Sequence, residues 1–132
     1  MRIHAAGSSE VKSWDEKPYS EVDGQPKFTR ASVVYAYHGD LEGEGQIEYL
    51  MCYPSNDVAT FLGYEQVTGR LGDRSGTFVL QHLGTFENGV AKTTTTVVPG
   101  SATGALSGLL GEGSGVAHHE PPASFTLDYE FA

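Results

Sequence analysis

Apolar and polar residues alternate along most of this chain, and the period of the alternation is two. The clearest case is LEGEGQIEYLMCY, where Leu41, Gly43, Gly45, Ile47, Tyr49, Met51 and Tyr53 fall on one side and Glu42, Glu44, Gln46, Glu48, Leu50 and Cys52 on the other. Successive side chains of a strand point to opposite faces, so this pattern predicts a strand with one buried face. The same reading predicts strands at SSEVKSWDE, KFTRASVVYAYHG, DVATFLGYEQV, GTFVLQHLGTF, VAKTTTTVV, ATGALSGLLG and ASFTLDYEFA. No segment of ten or more residues carries the 3.6-residue period of an amphipathic helix.

Turn chemistry separates these segments at VDGQP, HGDL, YPSND, GRLGDRSG, ENG, PGS and HHEPP. Eight sequential strands with short links predict an all-β fold: an eight-stranded antiparallel meander closed into a lipocalin-like barrel, with a two-sheet sandwich as the alternative. Closure between Val11–Trp14 and Phe125–Phe131 would remove both sheet edges. The 17 glycines, several inside candidate strands, supply the bends that closure needs. A chain of 132 residues forms one domain, residues 1–132, with enough length for a core.

Two hairpins can be registered from sequence. A two-residue Gly39-Asp40 turn would pair Tyr37 with Glu42 and Tyr35 with Glu44. In YEQVTGRLGDRSGTFVLQHLG the longer turn allows two registers. One sets Glu65 opposite His82 and the other leaves them a diagonal step apart; both keep them on one face with Phe61, Val67, Leu80 and Phe86.

Charge narrows the partners. Seventeen acidic and eight basic side chains give a formal charge of -9, and no Lys/Arg cluster interrupts it, so nucleic acid is not an expected partner. No apolar run approaches the ~20 residues of a membrane-spanning helix. The first residues lack the basic-then-apolar order of a secretory leader, and a lone Cys52 forms no internal disulfide; both point to the cytoplasm.

Glu65 and His82 are the first candidates for chemistry. A carboxylate beside an imidazole fixes its tautomer and makes a general base; the competing reading is a cross-strand polar pair that only stabilises the sheet. Glu48 joins them, because its same-face neighbours Leu50 and Cys52 suggest a strand passing from exposed to buried. Glu42 and Glu44 read as a solvated outer face. Tyr35, Tyr49 and Tyr53, with Phe61 and Phe86, are the candidate ligand-binding residues, since tyrosine offers an apolar ring with one polar handle. His4, His118, His119 and Glu120 lack the spacing of a metal-ligand set, so no metal and no cofactor is expected. PGSATGALSGLLGEG has neither the strand-to-helix context nor the lysine of a phosphate loop and reads as a bend at a barrel corner.

The motifs VKSWDEKPY, YHGDLEGEGQIEYLMCY, GYEQVTGRLGDRSGTFVLQHLGTF and VVPGSATGALSGLLGEG together resemble the bacterial proteins of domain of unknown function 3224, in the family's order and over about Ala5 to Phe131. Ala102 and Ala105 stand where that family has a glycine and an acid. The resemblance implies a barrel like that of allene oxide cyclase and implies no function. Three functions follow from the residues. The barrel binds a small apolar or amphipathic molecule inside; or it is an enzyme using Glu65, His82 and Glu48 for proton transfer or acid-base hydrolysis; or it is a structural or interaction protein with a filled barrel, self-associating through its exterior. A deep cavity holding Glu65 and His82 would favour the first two, and an interior filled with the protein's own aromatic rings the third.

Overall fold

The computed structural model describes residues 2–118 and 122–132. Eight strands succeed one another: β1 (Ile3–Ser20), β2 (Lys27–Gly39), β3 (Leu41–Ser55), β4 (Val58–Leu71), β5 (Arg74–Glu87), β6 (Val90–Val97), β7 (Leu109–Ala117) and β8 (Ala123–Phe131). Each pairs antiparallel with its neighbours in sequence, and β1 pairs with β8, so the sheet closes into a barrel and the sandwich is excluded. Among the described residues no helix is long and apolar enough to cross a membrane.

Closure falls lower on β1 than expected. Ile3–Ser9 pair with Tyr129–Ala123, whereas Val11 and the residues beyond it pair with β2 alone. Strands in a barrel tilt and stagger. That stagger carries the second half of β1 above the end of β8.

The β2–β3 hairpin is one residue away from the expected register: Tyr37 pairs with Gly43 and Tyr35 with Gly45. A one-residue slip moves every side chain to the opposite face relative to its partner strand, so the tyrosines share the inner face with Leu41, Gly45 and Ile47. The turn is shaped by a third strand. Gly39 adopts φ 116° against the backbone of Ala6 and Gly7. Asp40 accepts a hydrogen bond from Ala6 N through its carboxylate at 2.9 Å and donates its own N–H to Ala6 O at 3.1 Å.

The predicted seventh strand at residues 102–111 is displaced to Leu109–Ala117. Gly100, Gly104 and Gly108 hold φ of 81°, 66° and 87°, which interrupts an extended backbone. Residues 98–108 instead form a strap across β5, with Thr103 N donating to Thr77 O at 2.8 Å and Val79 N to Ser101 Oγ at 3.0 Å. Its single 3-10 turn, Gly104–Leu106, inserts Leu106 into the barrel.

The interior has two ends. At the strap end Leu41, Leu71, Phe78, Val97, Leu106 and Leu109 pack into a solid floor. Toward the other end Ala31, Val33, Ile47, Tyr49, Met51 and Ala59 form a second apolar layer that lines a wall without filling the centre. On the outer face Leu50, Leu62 and Leu83 stand in register across β3, β4 and β5, each about half exposed.

Candidate functional site: a buried acid beneath an open cup

Glu65 lies on the inner face of β4 between Gly63 and Val67 and is fully buried. Opposite it on β5 stands Leu80, while His82 pairs with Gly63, so the structure adopts the diagonal of the two allowed registers. The diagonal still lets the side chains meet: His82 Nε2 lies 2.7 Å from Glu65 Oε1. Tyr37 reaches the same carboxylate from β2, its hydroxyl 2.8 and 2.6 Å from the two oxygens. It does so across β3 because Gly45 has no side chain; a Cβ there would overlap Glu65 Oε2. His82 Nδ1 is held 3.0 Å from Thr95 Oγ1 on β6. Four strands thus contribute to one chain, Tyr37–Glu65–His82–Thr95, in which each buried polar group has a partner. Burial, with the charge of Glu65, holds the Tyr37 phenol well above its ordinary value, so it remains a protonated donor.

Above this chain sits a second hydroxyl pair, Tyr35 and Tyr49, with oxygens 2.9 Å apart. Burial pushes the Tyr35 phenol up to about 12, against a smaller lowering by its bond to Tyr49. Burial, then Tyr35, raises Tyr49 further still. The pair stands where two cavities meet. Toward the floor is a chamber of about 100 Å³ lined by Tyr37, His82, Thr95, Ser9, Thr93 and Ser114 among others. Toward the open end is a cup of about 600 Å³ walled by Trp14, Met51, Tyr53, Phe61 and Phe86, with Glu10 and His118 among its few charged or titratable groups. Both cavities touch Tyr35 and Tyr49.

Glu16 organises one side of the rim. It accepts from Thr29 Oγ1 at 2.6 Å, Tyr53 OH at 2.5 Å and Trp14 Nε1 at 3.0 Å. Burial alone would raise its carboxyl, but these donors and the Lys27 charge outweigh it, leaving the group below its usual value. Lys27 Nζ lies 4.8 Å from the centre of the Tyr53 ring.

The predicted residues separate into three groups. Glu65 and His82 meet. Tyr35, Tyr49, Tyr53, Phe61 and Phe86 all line the cup. Glu48 does not join either set: the alternation of β3 continues unbroken, and Glu48 faces outward on Arg30 at 3.0 Å. Its apolar neighbour Leu50 is exposed on that same outer side and signals no turn inward. Glu44 pairs with Lys12 at 2.8 Å outside the barrel, and His4 with Asp128 at 2.6 Å. His119 and Glu120 lie outside the described residues. Sequence reading missed Glu16, Trp14, Thr95 and the role of Gly45 as a site component. For Thr95 no signal existed, because four consecutive threonines look alike on both faces of a strand. Gly45 did carry one, a glycine at an inward position of an otherwise regular alternation.

Residues 5–129 match the model of the family described as "Protein of unknown function (DUF3224)". A crystal structure of a DUF3224-family protein with unknown function from Shewanella oneidensis MR-1 is similar over 100% of this chain and 99% of that one, with a TM-score of 0.82 and 26% identity. No curated protein matches. Fold and sequence agree over nearly the whole length, and the chain belongs to the DUF3224 family.

Proposed function

We propose that this barrel binds a small apolar or amphipathic molecule in its open-end cup. The observation that carries the proposal is the cup itself: about 600 Å³ walled mainly by aromatic and aliphatic side chains, with a few polar groups at its base. Binding sites for small molecules are concavities of about this size and character. An interior closed by its own rings, as the structural or interaction reading requires, would have no such space. Trp14, the single tryptophan, stands on the cup wall with its ring centre 6.2 Å from that of Tyr49, so its fluorescence reports occupancy directly. Saturable quenching of Trp14 by an uncharged apolar dye such as Nile red is expected. Linear, non-saturating quenching up to the solubility limit would remove the proposal. The expected setting remains the cytoplasm, where a lone Cys52 stays reduced.

A second reading, proton transfer, draws on the position of His82 on the wall of the inner chamber. Glu65 is sealed from that chamber behind its own partners, so it would act as a positioning residue that orients the imidazole, and Nδ1 would exchange a proton with substrate through the Thr95 hydroxyl that it is bonded to, which lines the same chamber. Its test is the exchange of α-hydrogens of a bound ketone for deuterium, followed by NMR. Exchange catalysed by wild type and abolished in His82→Gln, with dye binding kept, supports catalysis; equal exchange in both leaves the chain with a structural role.

A further inference from the structure

We infer that the cup selects uncharged molecules carrying one terminal oxygen, an alcohol or a ketone, and that this oxygen docks on the Tyr35–Tyr49 hydroxyl pair. The inference rests on the cup reading above and adds the chemical class of its ligand.

The first support is a count of hydrogens. Two phenols facing each other at 2.9 Å share one hydrogen bond, which uses one of their two hydroxyl hydrogens. Among the described residues neither hydroxyl has another partner. One O–H is therefore left over at the base of the cup. It is held as a donor because burial keeps both phenols protonated. A carbonyl or hydroxyl oxygen is the acceptor that such a group satisfies.

The second support is size. The chamber beyond the pair, about 100 Å³, holds on the order of three waters at ~30 Å³ each and admits a small polar terminus but not a chain. The apolar body of a ligand must then remain in the cup above.

The third support is charge. Glu65 lies beneath the pair, Glu10 on the cup wall and Glu16 beside Trp14 and Tyr53. The cations nearby are already engaged. Lys27 lies over the Tyr53 ring, and its charge acts on Glu16. His82 is already bonded to Glu65 at 2.7 Å. His118, which lines the same cup, is exposed to solvent. An ionised carboxylate placed at Tyr35 and Tyr49 would lose its water without gaining a counter-charge, which is costly. A neutral oxygen carries no such penalty.

The test is displacement of Nile red by decanol, methyl octyl ketone and decanoate at neutral pH. The alcohol and the ketone are expected to displace dye at concentrations at least about tenfold below decanoate, the span of one well-made hydrogen bond and one avoided desolvation. Tyr35→Phe and Tyr49→Phe singly should preserve the preference, since the remaining phenol still has its own hydrogen. The double Tyr35→Phe/Tyr49→Phe variant should lose about tenfold in ketone affinity, taken from displacement with the dye affinity measured afresh for that variant. Decanoate binding as tightly as decanol, or a double variant that keeps full ketone affinity, overturns the assignment. Single variants that lose as much as the double overturn the spare-hydrogen argument. If Nile red itself fails to bind, the cup reading falls first and takes the inference with it; dye binding without the neutral preference removes only the inference.

Discussion

At the scale of single residues, the most constrained position is one that has no side chain. Gly45 leaves the space through which Tyr37 and Glu65 meet. In Gly45→Ala the new methyl would force the acid off Tyr37 and His82 while it stays buried, and leaving a buried polar group without its hydrogen-bond partners costs about 1–3 kcal/mol, more for a charged one. We expect a loss of that order in urea denaturation. Because the loss runs through Glu65, Gly45→Ala combined with Glu65→Ala should be non-additive by about 1 kcal/mol or more. Strict additivity would show that the alanine perturbs β3 without touching the acid. Glu16 makes a prediction about pH. Its folded pKa lies below its ordinary 4.5, so its contribution is fully present above that value and is lost as pH falls through the folded one. Below pH 4.5 wild type should lose stability faster than Glu16→Gln, with a concurrent change in Trp14 emission as its Nε1 partner is protonated. Parallel stability curves for the two proteins would mean that the three donors do not stabilise the ionised form.

At the scale of elements, the strap over residues 98–108 decides whether the barrel is a tube or a cup. It closes the floor with one residue, Leu106, which is fully buried. Leu106→Ala should cost about 2–5 kcal/mol, whereas Leu106→Met, close in volume, should cost under about 1.5 kcal/mol. Equal and small losses on thermal or urea unfolding would mean that the strap lies on the barrel without plugging it. This element was also the hardest to read. SATGALSGLL contains enough apolar residues at short spacing to imitate a strand, and only the positive φ of Gly104 and Gly108, invisible in a one-letter code, breaks it. The strands with uninterrupted alternation, β3, β4 and β5, were legible because one face is buried along their length and a slip would expose it. The β2–β3 turn was misjudged by one residue because Ala6 of β1, far away in sequence, holds Asp40.

For the whole molecule, closure is the defining contact. Gly7–Ser9 and Ser124–Tyr129 should show slow amide exchange, because each of these residues has a partner strand on either side. From Val11 to Ser20 only one side is paired, so slow and fast amides should alternate along the strand. Uniformly fast exchange over β8 would mean that the barrel opens at that seam. The stagger that leaves the second half of β1 above β8 also opens the cup, since Val11 and Trp14 line it together with Ala117 and Ala123 from the shorter side. Barrel closure and access to the interior are consequences of the same strand offset.

What the sequence by itself determined is the set of local alternatives: eight strands from the period-two pattern, antiparallel order from the short turns, a shared face for Glu65 and His82 from parity, and an apolar face carrying Tyr49 and Tyr53 on β3. These follow from nearest neighbours along the chain, where side-chain direction is dictated by residue number alone. The tertiary structure decided which register each hairpin took, that Glu48 points outward to Arg30, that Gly45 makes room for a carboxylate from the next strand, and that the tyrosine hydroxyls meet in the centre leaving a cavity on either side. Those facts depend on distances across the barrel between residues far apart in the chain. They are set by closure, stagger and packing together, and no window of sequence contains them.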